Sequence, residues 1–213
     1  MNTNSDELRQ QWMSHGLKRD TLNPDPFKQF EYWYSQVIES GIPEPNAMSL
    51  ATVDPDGQPW LRTVLLKLYD ETGFVFFTNY ESAKARQITT NNQVGLLFPW
   101  VALGRQVKIS GTARKIPTTE SMKYFASRPR GSQIGAWASP QSQVISSRSL
   151  LEAKIDEVKR KFARGEVPLP SYWGGYRVAP FEIEFWQARE SRLHDRFVYA
   201  KNNGEWTIER RAP

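Results

Sequence analysis

The chain has 213 residues, no cysteine and two histidines, and carries 28 Lys+Arg against 23 Asp+Glu for a net charge of +5. That length allows one domain with a sizeable core, while the lack of cysteine excludes disulfides, thiolate chemistry and Cys-ligated zinc, and His15 and His194 alone leave no ordinary transition-metal site. No apolar run approaches a membrane span or a signal-peptide core, so a cytoplasmic protein is expected, and the positive balance favours anionic partners as small as a phosphorylated metabolite.

Residues 5–13 are predicted to form a short helix with Leu8 and Trp12 on one face. Gly16 and the Lys18-Arg19 pair follow, and residues 1–20 read as an arm able to move apart from a single domain over 21–213. Asp25-Pro26 reads as an N-cap with proline at the first helical position. Phe27, Phe30, Tyr34 and Val37 then recur at steps of three and four until Gly41 and Pro43. Three strands are predicted next: Met48–Val53, a long Gln58–Leu68 after the Asp54-Pro-Asp-Gly57 turn, and Phe74–Thr78. A meander without intervening helices points to an antiparallel sheet or barrel, and no Gly-x-Gly-x-x-Gly is present to suggest a parallel dinucleotide fold.

The pattern turns helical after Asn79, with Ser82, Lys84 and Arg86 near the helix start. A helix N-terminus beside a hydroxyl and a lysine suits phosphate, and it equally suits a solvated helix face. Two more strands, 92–101 and 105–115, flank Leu103-Gly104. A helix opened by Pro117-Thr118 carries Tyr124 and Arg128 four residues apart, hence on one face. Pro129 ends it, with Arg130-Gly131-Ser132 expected as a loop, so that a phenol, a guanidinium and a hydroxyl converge as a monophosphate clamp or stand as an ordinary surface pair. Gln141-Ser142 is expected in a polar loop, and Ser149 with Glu152 reads as a capping box for a helix burying Leu151, Ile155, Val158 and Phe162.

Near the C-terminus Phe181, Ile183 and Phe185 alternate with Glu182, Glu184 and Trp186, the period of a strand with one face in a core. The same alternation would put Arg192, His194 and Arg196 on one strand face, as an anion reader or as a solvated edge. A final hairpin is predicted around Asn202-Asn-Gly204. Arg62 and Lys67 present a difficulty: five residues apart, they should face opposite sides of one strand unless a bulge, strong twist or shared site intervenes. Eight Trp, eight Tyr and eleven Phe invite either core packing or base stacking. With no RNP-like motif, basic tract or helix-turn-helix pattern, neither a nucleic acid nor a membrane is expected as a partner. No nucleophile–base pair or carboxylate pair stands out either, which suits a protein that holds a cofactor.

Trp173-Gly-Gly-Tyr-Arg-Val178, Glu184-Phe-Trp-Gln187 and Arg192-Leu-His-Asp-Arg196 resemble motifs of the pyridoxine/pyridoxamine 5′-phosphate oxidases. Upstream, Arg62-Thr-Val-Leu-Leu-Lys67, Arg105-Gln-Val107, Tyr124-Phe-Ala-Ser-Arg-Pro-Arg130 and Ser132-Gln-Ile-Gly-Ala-Trp137 extend the resemblance over nearly the whole chain. It implies an α+β fold, an antiparallel split β-barrel of Greek-key type with flanking helices, forming a homodimer with FMN at the subunit interface. It also implies oxidation of pyridoxine or pyridoxamine 5′-phosphate by dioxygen, yielding pyridoxal 5′-phosphate and hydrogen peroxide, without a metal. By the same resemblance Arg62, Lys67, Phe77, Thr78, Ser82, Lys84, Gln106, Gln141, Ser142, Trp186 and Arg196 would bind FMN. Lys67, Tyr124, Arg128 and Ser132 would hold the substrate phosphate, Arg192 and His194 would act on its ring and reacting group, and Arg9 and Trp12 of the arm would lie near it. The chain departs from the family pattern at Phe77, where tyrosine is common, at Ala83, where arginine is common and Arg86 or a water is the expected substitute, and at Ala188, where glycine is usual.

Overall fold

Alternating apolar residues build nine strands in the computed structural model, which describes residues 3–213. They are β1 (Ala47–Val53), β2 (Pro59–Leu65), β3 (Leu68–Asp70), β4 (Gly73–Asn79), β5 (Gln93–Trp100), β6 (Arg105–Lys115), β7 (Trp173–Gln187), β8 (Asp195–Asn202) and β9 (Glu205–Arg211). All pairings are antiparallel, in the order β2-β1-β5-β6-β7-β4-β3, with β8 and β9 branching from β7. The long β7 pairs β4 along its first half and β8 along its second, so the sheet forks there as a split barrel. Inward positions such as Leu50, Phe74, Leu96, Phe98, Val107, Ile109 and Phe185 form the core.

The predicted strand Gln58–Leu68 is two strands. Leu65 still pairs with Ala47 of β1 and the Leu66 amide donates to Asn46 O, but the Lys67 amide donates to Val75 O of β4. Over two residues the chain leaves one end of the sheet for the other. This break resolves the Arg62–Lys67 difficulty, because the alternation is reset between them.

A second reset overturns the expectation that Phe181 joins Ile183 and Phe185 in the core. Ser110 pairs with Glu182 and Gly111 with Pro180, which leaves Phe181 as the extra residue of a β-bulge, half-exposed while Ile183 and Phe185 are fully buried. The single strand face carrying Arg192, His194 and Arg196 does not form either. Pairing of Trp186 with Arg196 and Gln187 with Asp195 makes β7–β8 a hairpin, and its loop turns through left-handed Ser191 (φ 55°) and Arg192 (φ 62°). Arg192 and His194 therefore sit on the loop and Arg196 on β8.

Helix α1 (Thr3–His15) lies against this barrel, and the Arg105 guanidinium packs over the rings of Trp12 at 3.6 Å and Trp33 at 4.3 Å. Burial pushes the Arg105 pKa down to about 9, still charged at neutral pH. Asp25 caps α2 (Pro26–Glu39) by accepting from the Phe27 amide, and the predicted stripe buries Phe30, whose ring lies 4.9 Å from Phe74 and 5.1 Å from Phe98. Four further helices flank the sheet: α3 (Ala83–Thr90), α4 (Thr118–Ser127), α5 (Arg130–Ala138) and α6 (Arg148–Lys161). Arg130-Gly131-Ser132, expected as a loop, is the first turn of α5. Pro129 cannot extend α4, but its extended backbone and carbonyl start the next helix, accepting from the amides of Ser132 and Gln133. The cap of α6 is Ser147, not Ser149: the Ser147 hydroxyl accepts from the Leu150 amide, and Glu152 pairs with Arg148 instead of closing a capping box.

Candidate functional site

Where β4 runs out at Thr78–Asn79, the chain turns through Ser82 into α3, and the β2–β3 break and the α4–α5 corner close over the same place. They enclose a cavity of about 610 Å³, within the range of small-molecule sites. It is lined by nine of the residues expected from sequence: Arg62, Lys67, Phe77, Thr78, Lys84, Tyr124, Arg128, Ser132 and Gln141. Four of these are cations, and no carboxylate lines the cavity.

The floor is a hydrogen-bonded set. Lys84 Nζ reaches back to donate to Thr78 Oγ1 at 3.2 Å and lies 3.5 Å from the fully buried Ser82 hydroxyl. Thr78 in turn donates to Gln141 Oε1 at 3.1 Å. Arg62 is fixed by Leu50 O, Thr52 Oγ1 and Gln87 Oε1, all neutral acceptors. Burial, with the Arg62 charge beside it, brings the Lys84 pKa down to about 8.

The wall is aromatic. Phe77 stacks on Tyr124 with centroids 3.9 Å apart and on Trp173 at 5.2 Å, and the Arg128 guanidinium lies over Trp173 at 4.6 Å. Gly174 and Gly175 permit this packing, since a Cβ on either would collide with Tyr80 or with Ile116 and Phe77. Burial raises the Tyr124 pKa against the opposing Arg128 charge. Arg128 Nη1 is buried with no hydrogen-bond partner. An orphaned guanidinium N–H is costly unless something anionic meets it.

The remaining expected residues lie elsewhere in the chain. Ser142, left-handed at φ 68°, is exposed beside Gln141 and does not line the cavity. Arg86 donates to Glu81 O and is also absent from the lining. Gln106, Trp186 and Arg196 are register partners across β6, β7 and β8, forming one row on the outward sheet face. His194 sits 4.5 Å from the Trp186 ring, and its Nδ1 accepts from the Arg189 amide at 3.1 Å. Arg192 shares that loop, while Arg9 lies beside the Gly104 turn and Trp12 over Arg105. Trp60, Leu61, Val101 and Phe181 are large apolar side chains left exposed.

Trp173 and Gln87 were not singled out as site residues from sequence. The Trp-Gly-Gly run was the signal available for Trp173. Gln87 gave none, because its position on a helix face does not reveal that it anchors Arg62. Among the described residues no cluster of His, Asp or Glu could hold a metal, and no helix is long and apolar enough to cross a membrane.

Comparison with known proteins agrees with this geometry. Residues 35–162 match the family model described as pyridoxamine 5′-phosphate oxidase, and 173–213 match the pyridoxine 5′-phosphate oxidase C-terminal dimerisation region. The pyridoxine/pyridoxamine 5′-phosphate oxidase of Rippkaea orientalis is 62% identical over 97% of this chain and 98% of its own length. That of Aliarcobacter butzleri is 61% identical with the same coverage. The crystal structure of PhzG from Burkholderia lata 383, in complex with tetrahydrophenazine-1-carboxylic acid, superposes with a TM-score of 0.87 at 29% identity, covering 92% of this chain and 98% of that one. With both family models matched in order and near full-length relatives at this identity, the chain belongs to the pyridoxine/pyridoxamine 5′-phosphate oxidase family.

Proposed function

We propose that the chain is an FMN-dependent oxidase converting pyridoxine 5′-phosphate or pyridoxamine 5′-phosphate to pyridoxal 5′-phosphate, with dioxygen as electron acceptor and hydrogen peroxide as by-product. The observation that carries this reading is the unpartnered, buried Arg128 Nη1 in a four-cation cavity free of carboxylates. Such a site suits phosphate esters, and the stacked Phe77–Tyr124–Trp173 wall suits flat rings.

The donor set fits FMN. Arg62, Thr78, Ser82, Lys84 and Gln141 would hold its phosphate and tail, with Phe77 and Lys67 beside it, while Ser142 stays outside the cavity of its own chain. Bound FMN supplies the redox chemistry, taking a hydride equivalent from the substrate's 4′ carbon and passing the electrons to dioxygen. The side chains supply position and charge. Lys67, Tyr124, Arg128 and Ser132 grip the substrate phosphate, and the aromatic wall keeps water from one side of the cavity. Arg192 and His194 orient the ring and its reacting substituent, with Arg9 and Trp12 contributed by the arm. Because His194 Nδ1 accepts the Arg189 amide, a neutral imidazole carries its proton on Nε2, which is left to face the substrate.

Gln106, Trp186, Arg192, His194 and Arg196 do not line the cavity of their own chain. The reading is completed by a homodimer in which the partner brings this group to the cavity, so that FMN lies between subunits. The exposed apolar side chains Trp60, Leu61, Val101 and Phe181 and the match to a dimerisation region support that arrangement.

The test is direct. Purified protein is expected to show flavin absorbance and, given pyridoxine 5′-phosphate under air, to form aldehyde and peroxide in equal amounts. A colourless protein that takes up no FMN, or a yellow one inert toward both phosphate esters, overturns the reading.

A further inference from the structure

Glu184 stands on the outward face of β7, where a strand residue is ordinarily solvated, yet its carboxylate is only 2% exposed. A carboxylate that dry is tolerated only when its oxygens are engaged. Here they are: Oε1 accepts from Arg196 Nε at 3.2 Å, and Oε2 accepts from Arg196 Nη2 and Lys108 Nζ, both at 2.9 Å. Burial pushes the carboxyl pKa up, but the hydrogen bonds from Arg196 and Lys108 outweigh it and hold the group below the usual carboxylate range. Arg196 is also tied at Nη1, which donates to Ala212 O at 2.9 Å. All three guanidinium nitrogens are therefore anchored, and the plane has one orientation.

Stability alone is a weak reason for this arrangement, because buried ion pairs can often be exchanged for apolar side chains of similar volume at little cost. What a fork-to-fork carboxylate gives an arginine, and an apolar neighbour cannot, is direction. We propose that Glu184 is a positioning residue, which aims Arg196, and Lys108 beside it, at the cofactor held in the partner's cavity. The inference rests on the reading above that Arg196 serves FMN. Glu184 touches neither cofactor nor substrate in this scheme and acts only through the two cations.

The experiment measures FMN affinity of the full-length apoprotein by flavin fluorescence quenching, for the wild type, Glu184→Gln, Arg196→Lys and the double variant. Losing one charge-assisted anchor is expected to raise the FMN Kd about tenfold in Glu184→Gln. The double variant is expected to lose less than the sum of the two single losses, since in Arg196→Lys the carboxylate is left with Lys108 alone to aim. Unchanged affinity in Glu184→Gln, or fully additive losses in the double variant, overturns the proposal while leaving Arg196 as a cofactor residue. Unchanged affinity in Arg196→Lys instead removes Arg196 from the FMN site, and the role of Glu184 with it. Should Glu184→Gln fail to fold, Glu184→Asp keeps the charge but draws it back by one methylene. The same loss is expected, and wild-type affinity in that variant counts against the proposal.

Discussion

Arg128 shows how a binding residue can burden the fold that carries it. Its Nη1 is buried without a partner, a state that costs roughly 1–3 kcal/mol. Arg128→Met keeps the contact with Trp173 and discards the orphaned donor. The apoprotein is expected to hold or gain about 1 kcal/mol in denaturant unfolding, while the KM for the phosphate ester rises about a hundredfold. A variant that loses stability along with binding would show that Arg128 is satisfied by other means. Lys84 carries a second prediction. With its pKa down at about 8, the free protein loses this charge as pH climbs past that value, whereas a bound phosphate favours the charged form. Affinity for FMN should thus be level from pH 7 to about 8 and then fall by up to about tenfold per pH unit, and Lys84→Met should abolish the slope. A spacing of four suggested that Tyr124 and Arg128 share a helix face, but α4 stops at Ser127, Arg128 is extended and Ser132 lies in α5, so it is the α4–α5 corner that brings the three to one cavity. Glu184 was not legible: period-two alternation assigns it to the outward face and says nothing of the two cations that dry it.

At the scale of elements, most helices and strands followed from apolar period, and the departures fall where one residue resets that period. The β2–β3 break, the bulge at Phe181 and the left-handed Ser191–Arg192 turn are invisible to pattern reading, since each depends on which neighbour the backbone pairs with next. Pro129 is ambiguous for a related reason: a proline that stops one helix can equally start another. The bulge carries a prediction of its own. Opposite Phe181, a Cβ on Gly111 would stand 2.6 Å from Ala179 O and 2.9 Å from Val178 Cγ1. The first contact is with backbone, which cannot rotate away. Gly111→Ala is expected to cost about 2 kcal/mol in reversible unfolding, with the destabilisation seen equally in apoprotein and holoprotein. An unaffected midpoint would mean that the bulge relaxes more freely than its register suggests.

The whole molecule divides the candidate site into two groups that one chain does not bring together. The cavity with Arg62, Lys84 and Arg128 lies by the β2–β3 break, while Trp186 and Arg196 stand on the outward sheet face with His194 beside them. Residue patterning gave the antiparallel meander and the family resemblance the split barrel, but the two-residue crossing at Leu66–Lys67 and the fork at β7 that build it left no mark in the pattern. If two-fold association joins the groups, defects in different groups should complement one another. Arg128→Ala damages the cavity and Arg196→Ala the outward row, so each homodimer carries a lesion in both of its sites. When the two variants are co-expressed in equal amounts and assort at random, half of the dimers are mixed. In a mixed dimer one site collects both lesions and the other collects neither. Activity with saturating FMN should therefore return to about a quarter of the wild-type value per subunit. Sites built within single chains would keep one lesion each, and the mixture would then be no more active than its parents.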